Sequence, residues 1–328
     1  TGSSSRRAAL ASGLEAFLST SQSSNGGGLT ILYSTYPQWP FKPASKVKDP
    51  KQQIDIGVLD SSFNPPTLAH RAIAIGPPNL ARPKDAPSST PALKKQYDAH
   101  LLLFSCKNAD KGTGKKGDAT QLQRVEMMEL LAKEMEASLK EADGYEPNVA
   151  VGIVEPPLIF AKSTLCHEFI DKQRKDAHKE DSASSRPPVR LHWQAGMDTL
   201  ERVFALRYYP SPDSFRASAN HFFEEEGTTL VVASRASDSL PGKSMENDSE
   251  EALLQSELVK PWVESGSVAV WQLPKEVQGC SSTTVRNLFQ QNEPQLADEE
   301  SKRKWLLERT PPGIADYLMT EKVYFPVS

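Results

Sequence analysis

Short apolar runs alternate with longer amphipathic stretches along most of the chain. Runs rich in Val, Ile and Leu predict buried strands, at residues 29–34, 53–59, 99–106, 149–155, 189–196, 228–235 and 267–273. Segments with apolar residues three or four positions apart predict helices, at residues 8–20, 66–76, 119–142, 163–175, 197–209, 250–264, 282–292 and 310–325. This order predicts βαβ units, and hence an α/β fold with a doubly wound, mainly parallel sheet and helices on both faces.

Polar and Pro-rich segments suggest how the chain is divided. We expect residues 1–50 to form an N-terminal helix and a Pro-rich extension, and residues 51–328 to form one large domain. Insertions are predicted near 77–95, 176–188 and 236–250, where the composition is polar or Pro-rich. No internal repeat is visible.

Composition excludes several classes of protein. A net charge of −4 and a pI near 5.9 argue against a general nucleic-acid binder. Three widely separated cysteines provide no disulfide framework and no zinc pattern, which favours a reducing compartment. No apolar run has the length of a membrane span. The Ser-rich start, with Arg6 and Arg7, leaves a transit peptide open, but Glu15 favours an ordinary amphipathic helix. We expect a cytoplasmic protein with no membrane partner, and leave open a nuclear location and a homo-oligomer.

The turn after the strand at 53–59 is the first candidate for chemistry. It has the sequence SSFNPPTLAH, in which Thr67 and His70 are three residues apart. Residues at this spacing share one helix face, and the N–H groups of a first helical turn lack intrahelical partners. The turn therefore suits a phosphate, although for this pattern alone a Thr cap with a surface or half-buried His is the more common outcome.

Two later turns have similar character. SSTTVR places Ser282, Thr283 and Arg286 at a helix start, with Ser281 or Ser282 as the N-cap. In WQAGMDTL, Gly196 permits close backbone approach and Asp198 begins a helix, where its carboxylate could bind ribose hydroxyls or help hold a metal. Each turn alone is also compatible with a simple capped helix.

GTGKKG at residues 112–117 matches the glycine pattern of dinucleotide-binding loops. It lies six residues beyond the preceding strand, in a Lys-rich loop, and Asp118 follows it, so it fits neither that fingerprint nor a Walker loop. Lys115 and Lys116 remain candidate cations for a phosphate.

Taken in order, these motifs resemble those of nucleotidylyltransferases. FNPPTLAH is similar to the [H/T]-x-x-H loop, and SSTTVRNL is similar to the I-S-S-T-x-x-R motif of that superfamily. The first combination is most similar to the nicotinamide (or nicotinate) mononucleotide adenylyltransferase family. KKGDATQLQRVEMM, AGMDTLERVF, LVVASR and IADYLMTEKVYF resemble further segments of that family. The resemblance covers about residues 54 to 325 and implies a Rossmann-like fold.

The resemblance implies roles for particular residues. Thr67 and His70 would contact the phosphates of ATP, and Lys115 would reach the same polyphosphate. Ser282, Thr283 and Arg286 would hold the departing β- and γ-phosphates. The nucleotide would be bound by Ser62, Phe63, Asn64, Gly196, Asp198 and Arg235. No protein metal cage is implied, because Mg²⁺ would bind mainly to the phosphates.

The implied activity is transfer of an adenylyl group from ATP to nicotinamide or nicotinate mononucleotide, a step of NAD biosynthesis that releases pyrophosphate. Two departures bear on it: Ser61 replaces the family glycine, and Glu155-Pro156-Pro157 follows Val154 where the family has Trp-Glu. These leave open another acceptor, as in phosphopantetheine adenylyltransferases or phospho-alcohol cytidylyltransferases. They also leave open a nucleotide-binding scaffold that has lost catalysis.

Overall fold

The structure is a computed structural model that describes residues 2–23, 28–46, 53–78, 80, 96–106, 117–141, 145–178, 187–235, 244–290 and 298–324. These residues contain a seven-stranded sheet with the order β1-β4-β3-β2-β5-β6-β7. Its strands are β1 (Thr30–Ser34), β2 (Ile54–Asp60), β3 (Ala99–Ser105), β4 (Val149–Val154), β5 (Val189–Gly196), β6 (Thr229–Ser234) and β7 (Val268–Gln272).

The sheet is parallel from β2 to β7, and β1 adds an antiparallel edge strand beside β4. From the central strand β2 the chain builds outward through β3 and β4, and then returns to build the other half from β5 to β7. The predicted doubly wound, mainly parallel sheet is confirmed. The order reverses between β2 and β5, and at such a reversal a crevice opens outside the carboxyl ends of the strands.

Helices connect the strands and extend the chain beyond β7. They are α1 (Gly2–Ser23), α2 (Leu68–Ala74), α3 (Gln121–Glu141), α4 (Ile159–His178), α5 (Met197–Val203), α6 (Pro212–Asn220), α7 (Ser244–Leu254), α8 (Lys260–Glu264), α9 (Lys275–Gln278), α10 (Ser282–Gln290), α11 (Glu299–Leu307) and α12 (Pro312–Thr320). None of the described helices combines the length and the apolar character needed to cross a membrane.

Each face of the sheet has its own buried apolar cluster, because successive strand side chains point to opposite faces. Leu59 and Leu102 belong to the cluster on one face, called face A here, together with side chains from α1, α2, α3, α10, α11 and α12. Val58 and Leu101 belong to the cluster on face B, together with side chains from α4, α5 and α6. The prediction of helices on both faces is therefore confirmed.

The described part of the N-terminal segment packs on this same sheet. Leu10, Leu14 and Phe17 of α1 are buried in the face A cluster, and Arg7 pairs with Glu126 of α3 at 3.1 Å. The division between residues 1–50 and 51–328 stays a prediction. Of the three expected insertions, α4 extends into 176–188 and α7 begins within 236–250, and most of the remainder lies outside the described residues.

Several helices differ from the sequence prediction. The helix expected at 250–264 is divided into α7 and α8, because Pro261 stands in the first turn of α8, where a residue without an N–H is favoured. The helix expected at 197–209 ends as α5 at Val203. Three described helices, α6, α9 and α11, were not predicted, and a π-helical turn at His221–Glu225 extends α6.

Candidate active site

A cavity of about 730 Å³ opens at the carboxyl ends of β2, β3, β5 and β6, at the reversal of the strand order. Its volume is in the range of small-molecule sites. Nine of the twelve predicted site residues line it: Ser62, Asn64, His70, Gly196, Asp198, Arg235, Ser282, Thr283 and Arg286. The structure therefore brings together three turns that are far apart in sequence.

The remaining three predicted residues are placed elsewhere. Thr67 is fully buried and holds the side chain of His70. Phe63 is also fully buried, in the face A cluster, with its ring 5.7 Å from that of His70. Both support the turn from behind and are absent from the cavity wall. Lys115 lies outside the described residues.

The turn between β2 and α2 has an unusual backbone. Phe63 has a φ of 44°, in the left-handed region that residues with a side chain seldom adopt, and the peptide bond between Asn64 and Pro65 is cis. A positive φ at a bulky residue costs on the order of 1–3 kcal/mol, and such strain is common at ligand sites. Burial of the Phe63 ring offsets this cost, so the core enforces the shape of the turn.

His70 has a defined tautomer. The Thr67 N–H donates to His70 Nδ1 at 3.1 Å, and a backbone N–H cannot accept. Nδ1 therefore carries a lone pair, and the proton of the neutral ring is on Nε2. The Ser61 hydroxyl oxygen lies 3.0 Å from Nε2 and accepts this proton. Ser61 is thus a member of the site, although sequence reasoning noted it only as a departure from the family pattern.

The pKa of His70 is lowered to about 4, because burial disfavours the charged ring and the Arg235 guanidinium adds a smaller effect of the same sign. Asp198 opposes this shift without reversing it. At neutral pH the imidazole is therefore an uncharged N–H donor.

The first turn of α2 is less open to a ligand than the sequence suggested. The Thr67 N–H is bonded to His70, and the Leu68 N–H donates to the Arg309 carbonyl oxygen at 2.8 Å. The expectation of free N–H groups at this turn is therefore wrong for these two residues.

Helix α10 forms the second wall of the same corner. The Ser281 hydroxyl accepts the Thr284 N–H at 3.1 Å, so Ser281 is the capping residue. This leaves the Ser282 hydroxyl to donate to the Pro65 carbonyl oxygen at 2.7 Å. Arg286 donates to the Asn64 carbonyl oxygen at 2.5 Å and to the Thr283 hydroxyl at 3.2 Å. The two motifs are therefore bonded directly to each other.

Asn64 joins three parts of the chain through its buried side chain. Its Oδ1 accepts the Ala119 N–H at 3.1 Å and the Tyr324 hydroxyl at 2.8 Å. The loop before α3 and the residues after α12 are thus attached to the turn after β2. This acceptor role fixes the orientation of the Asn64 amide.

Arg124 and Asp118 are site residues that the sequence reasoning did not select. The Arg124 guanidinium lies 3.4 Å from Asp118 Oδ2, and the Arg286 Nε lies 3.8 Å from Asp118 Oδ1. One carboxylate therefore stands between two guanidinium groups on the cavity wall. Arg124 lies in QLQRVEMM, a segment already noted for its resemblance, and this was the available signal.

The wall formed by β5, β6 and α5 contains the third turn. Gly196 is the N-cap of α5, and a Cβ at this position would lie 2.9 Å from Asp198 Oδ1. Asp198 is exposed and faces Arg202 at 3.9 Å. Arg235 donates to the Gln278 and Cys280 carbonyl oxygens at 3.3 and 3.4 Å. This wall has a carboxylate and a cation, and the Asp198 carboxylate occupies the space that a side chain at residue 196 would fill.

Within the described ranges, no group of three or more His, Cys, Asp or Glu side chains is arranged to hold a metal ion. The expectation that Mg²⁺ binds to substrate phosphates stays a prediction.

Comparison with known proteins finds similar folds only. No protein-family model matches the chain, and no curated protein matches its sequence. Two matching solved structures are Plasmodium falciparum nicotinic acid mononucleotide adenylyltransferase complexed with NaAD and with APC. They are 12% and 11% identical to this chain, with TM-scores of 0.43 and 0.41. Each match covers 83% of this chain and 98% of the other. With so few identical residues, these likenesses assign no role to any side chain in the cavity.

Proposed function

We propose that this chain is a nucleotidyltransferase that transfers the adenylyl group of ATP to nicotinamide mononucleotide or nicotinate mononucleotide. One observation carries the proposal: Arg286 bonds to Asn64 across 222 residues of sequence, which unites the two phosphate-type motifs in one cavity. A capped helix needs no such partner. A site that must surround a polyphosphate needs donors from several directions.

In this proposal the triphosphate lies against α10. Arg286 would present the guanidinium edge that remains beside its two internal bonds, and Thr283 would present its hydroxyl. Ser61, which accepts the Nε2 proton of His70, would donate its own hydroxyl hydrogen to the phosphates. Charge that develops on the phosphates is stabilised by such prepositioned donors, which need little reorganisation during the reaction.

The nucleoside part would lie toward β5 and β6. The Asp198 carboxylate suits ribose hydroxyls, Gly196 allows close backbone approach, and Arg235 would stand near the adenine. Ser62 lies at the rim between the two parts, where it is exposed.

The reaction is an in-line displacement at phosphorus. An oxygen of the acceptor phosphate forms a bond to the α-phosphorus of ATP, the bond from that phosphorus to the bridging oxygen breaks, and pyrophosphate leaves with its electron pair. No covalent protein intermediate is needed, so the protein acts by positioning and charge stabilisation. Mg²⁺ bound to the phosphates would neutralise part of their charge.

A coupled assay of NAD formation from ATP, Mg²⁺ and nicotinamide mononucleotide tests this function. Parallel reactions with nicotinate mononucleotide, with phosphopantetheine, and with CTP plus a phospho-alcohol identify the acceptor and the donor base. Arg286→Ala should slow pyrophosphate release by about 10-fold or more. The matched control Arg216→Ala, which removes an exposed cation on α6, should retain it.

Pyrophosphate release with the mononucleotides alone would support the proposal. Release only with phosphopantetheine or with CTP would reassign the substrates. Calorimetric binding of ATP without release in any reaction would overturn catalysis and identify a scaffold, and absence of ATP binding would overturn the assignment altogether.

A further inference from the structure

A buried lysine faces the cavity from the side opposite α10. The ammonium group of Lys162 lies 2.5 Å from Asp60 Oδ2, and their side chains are only 4% and 12% exposed. Both residues line the cavity. Among the described residues Asp60 is the one partner of this ammonium group, which has three hydrogens to donate.

The position of Lys162 does not favour the stability of the fold. It lies in the first turn of α4, where the helix dipole disfavours a cation. A buried ion pair also contributes little net stability, because removing both charges from water is costly. Residues whose local preferences conflict with their place in the fold are expected at functional positions. A ligand oxygen would complete the donor set of Lys162.

The two helix layers place Lys162 across the crevice from Arg286. Apolar residues of α10 pack on face A, and those of α4 pack on face B. Asp60 ends β2 between them, immediately before Ser61. A ligand at the end of β2 therefore has Arg286 on one side and Lys162 on the other.

We propose that Lys162 binds the phosphate of the acceptor mononucleotide, and that Asp60 positions its ammonium group. This rests on the proposed function, which places the triphosphate of the donor against α10. Two phosphates that react with each other repel, so each needs its own cation. Arg286 serves the donor, and Lys162 serves the acceptor from the opposite wall. Lys162 thus contacts substrate, whereas Asp60 acts through Lys162.

The test compares acceptors with and without a phosphate. Lys162→Gln should weaken calorimetric binding of nicotinamide mononucleotide by ~10–100-fold, the loss expected for a hydrogen bond to a charged group. Binding of nicotinamide riboside, which lacks the phosphate, should stay unchanged. The KM for the mononucleotide should rise while the KM for ATP stays near the parent value. The matched control Lys172→Gln removes an exposed cation further along α4 and should leave all four quantities unchanged.

A double variant separates binding from folding. Lys162→Gln alone leaves Asp60 buried without its cation and should lower the urea midpoint. Lys162→Gln with Asp60→Asn replaces the ion pair by a neutral hydrogen-bonded pair and should recover that midpoint. If Lys162 contacts the phosphate, the double variant still binds the mononucleotide weakly. Recovery of mononucleotide binding together with stability would overturn the proposal, and so would equal losses for the mononucleotide and the riboside. The proposed function is tested separately, by turnover of the parent protein, and it holds if that turnover is observed even when the Lys162 proposal fails.

Discussion

The Ser61 hydroxyl oxygen lies 3.0 Å from Nε2 of His70, and it accepts the only proton of the neutral imidazole. Its own hydrogen is then available to a ligand, and no other side-chain bond to this hydroxyl occurs among the described residues. The two side chains therefore form one donor unit at the end of β2. Under the proposed function, a substrate phosphate would bind to this unit without requiring a charged histidine.

The turnover of His70 variants should depend on whether the new side chain can donate a hydrogen bond from the position of Nε2. A Gln amide places an N–H close to that position, so His70→Gln should keep part of the turnover. His70→Ala removes the donor and should lose ~10²–10³ in kcat, the usual effect of deleting one such donor. Steady-state kinetics checks this order, with circular dichroism as the control for folding. Equal loss in both variants would show that the donor position is not the relevant property.

The free energy of unfolding should fall at acid pH because two histidines stay neutral in the folded protein. The pKa values of His70 and His100 are both lowered to about 4, in each case mainly by burial. The unfolded chain binds protons from about pH 6.5 downward, while the folded chain does so only near pH 4. The free energy of unfolding should therefore decrease between these two values. Urea titrations across that range measure the slope.

His100→Asn should reduce this slope. The His100 Nδ1 lies 3.0 Å from the Ala74 carbonyl oxygen, so Nδ1 donates, and an Asn amide can place a donor at the same point. The variant keeps the hydrogen bond and removes the titrating ring. An unchanged slope would assign the acid sensitivity to other groups, such as His167, whose pKa is also lowered by burial.

Arg286 should not be replaceable by lysine. Its guanidinium donates to both Asn64 and Thr283, which requires a fork of separate N–H groups. A Lys ammonium is a single point and cannot reproduce both bonds together with a contact to phosphate. We expect Arg286→Lys and Arg286→Ala to lose similar factors in kcat/KM, on the order of 10-fold or more for one charged hydrogen bond. Near-parental kinetics of the lysine variant would contradict the fork geometry.

Asn64→Ala should destabilise the fold as well as the site. It leaves the buried Ala119 N–H and the Tyr324 hydroxyl without an acceptor, at about 1–3 kcal/mol for each unsatisfied group. Tyr324→Phe removes one of these groups in advance. In a double-mutant cycle, Asn64→Ala should therefore cost less in the Tyr324→Phe background. Additive effects of the two substitutions on urea unfolding would count against this bond.

The strands were predictable because apolar runs between polar turns define a buried parallel sheet. β3 and β4 begin where the pattern placed them, since their side chains are buried on both faces. Helices α6 and α11 were missed because their apolar positions are few and their sequences polar, so tertiary packing decides their structure. The break before α8 has a signal in the sequence, which is Pro261.

The motif residues of the site could be predicted from the sequence, but most of the contacts between them could not. Local spacing indicated His70 and Arg286, because they lie three residues after Thr67 and four residues after Ser282. It could not indicate that Asp118 stands between Arg124 and Arg286, because the contact between Asp118 and Arg286 joins segments that are far apart in the sequence. Lys162 lies in none of the motifs noted in the sequence, and only the packing of α4 brings it close to Asp60.

The bonds from Arg286 and Tyr324 to Asn64 also determine when the site can form during synthesis on the ribosome. All strands of the sheet have been synthesised once the chain has passed Gln272, while α10 and the segment that contains Tyr324 have still to emerge. A nascent chain at that stage holds the turn after β2 without the Arg286 and Tyr324 groups that bond to Asn64. Under the proposed function, we therefore expect a chain truncated before Ser282 to gain no protection against unfolding from ATP.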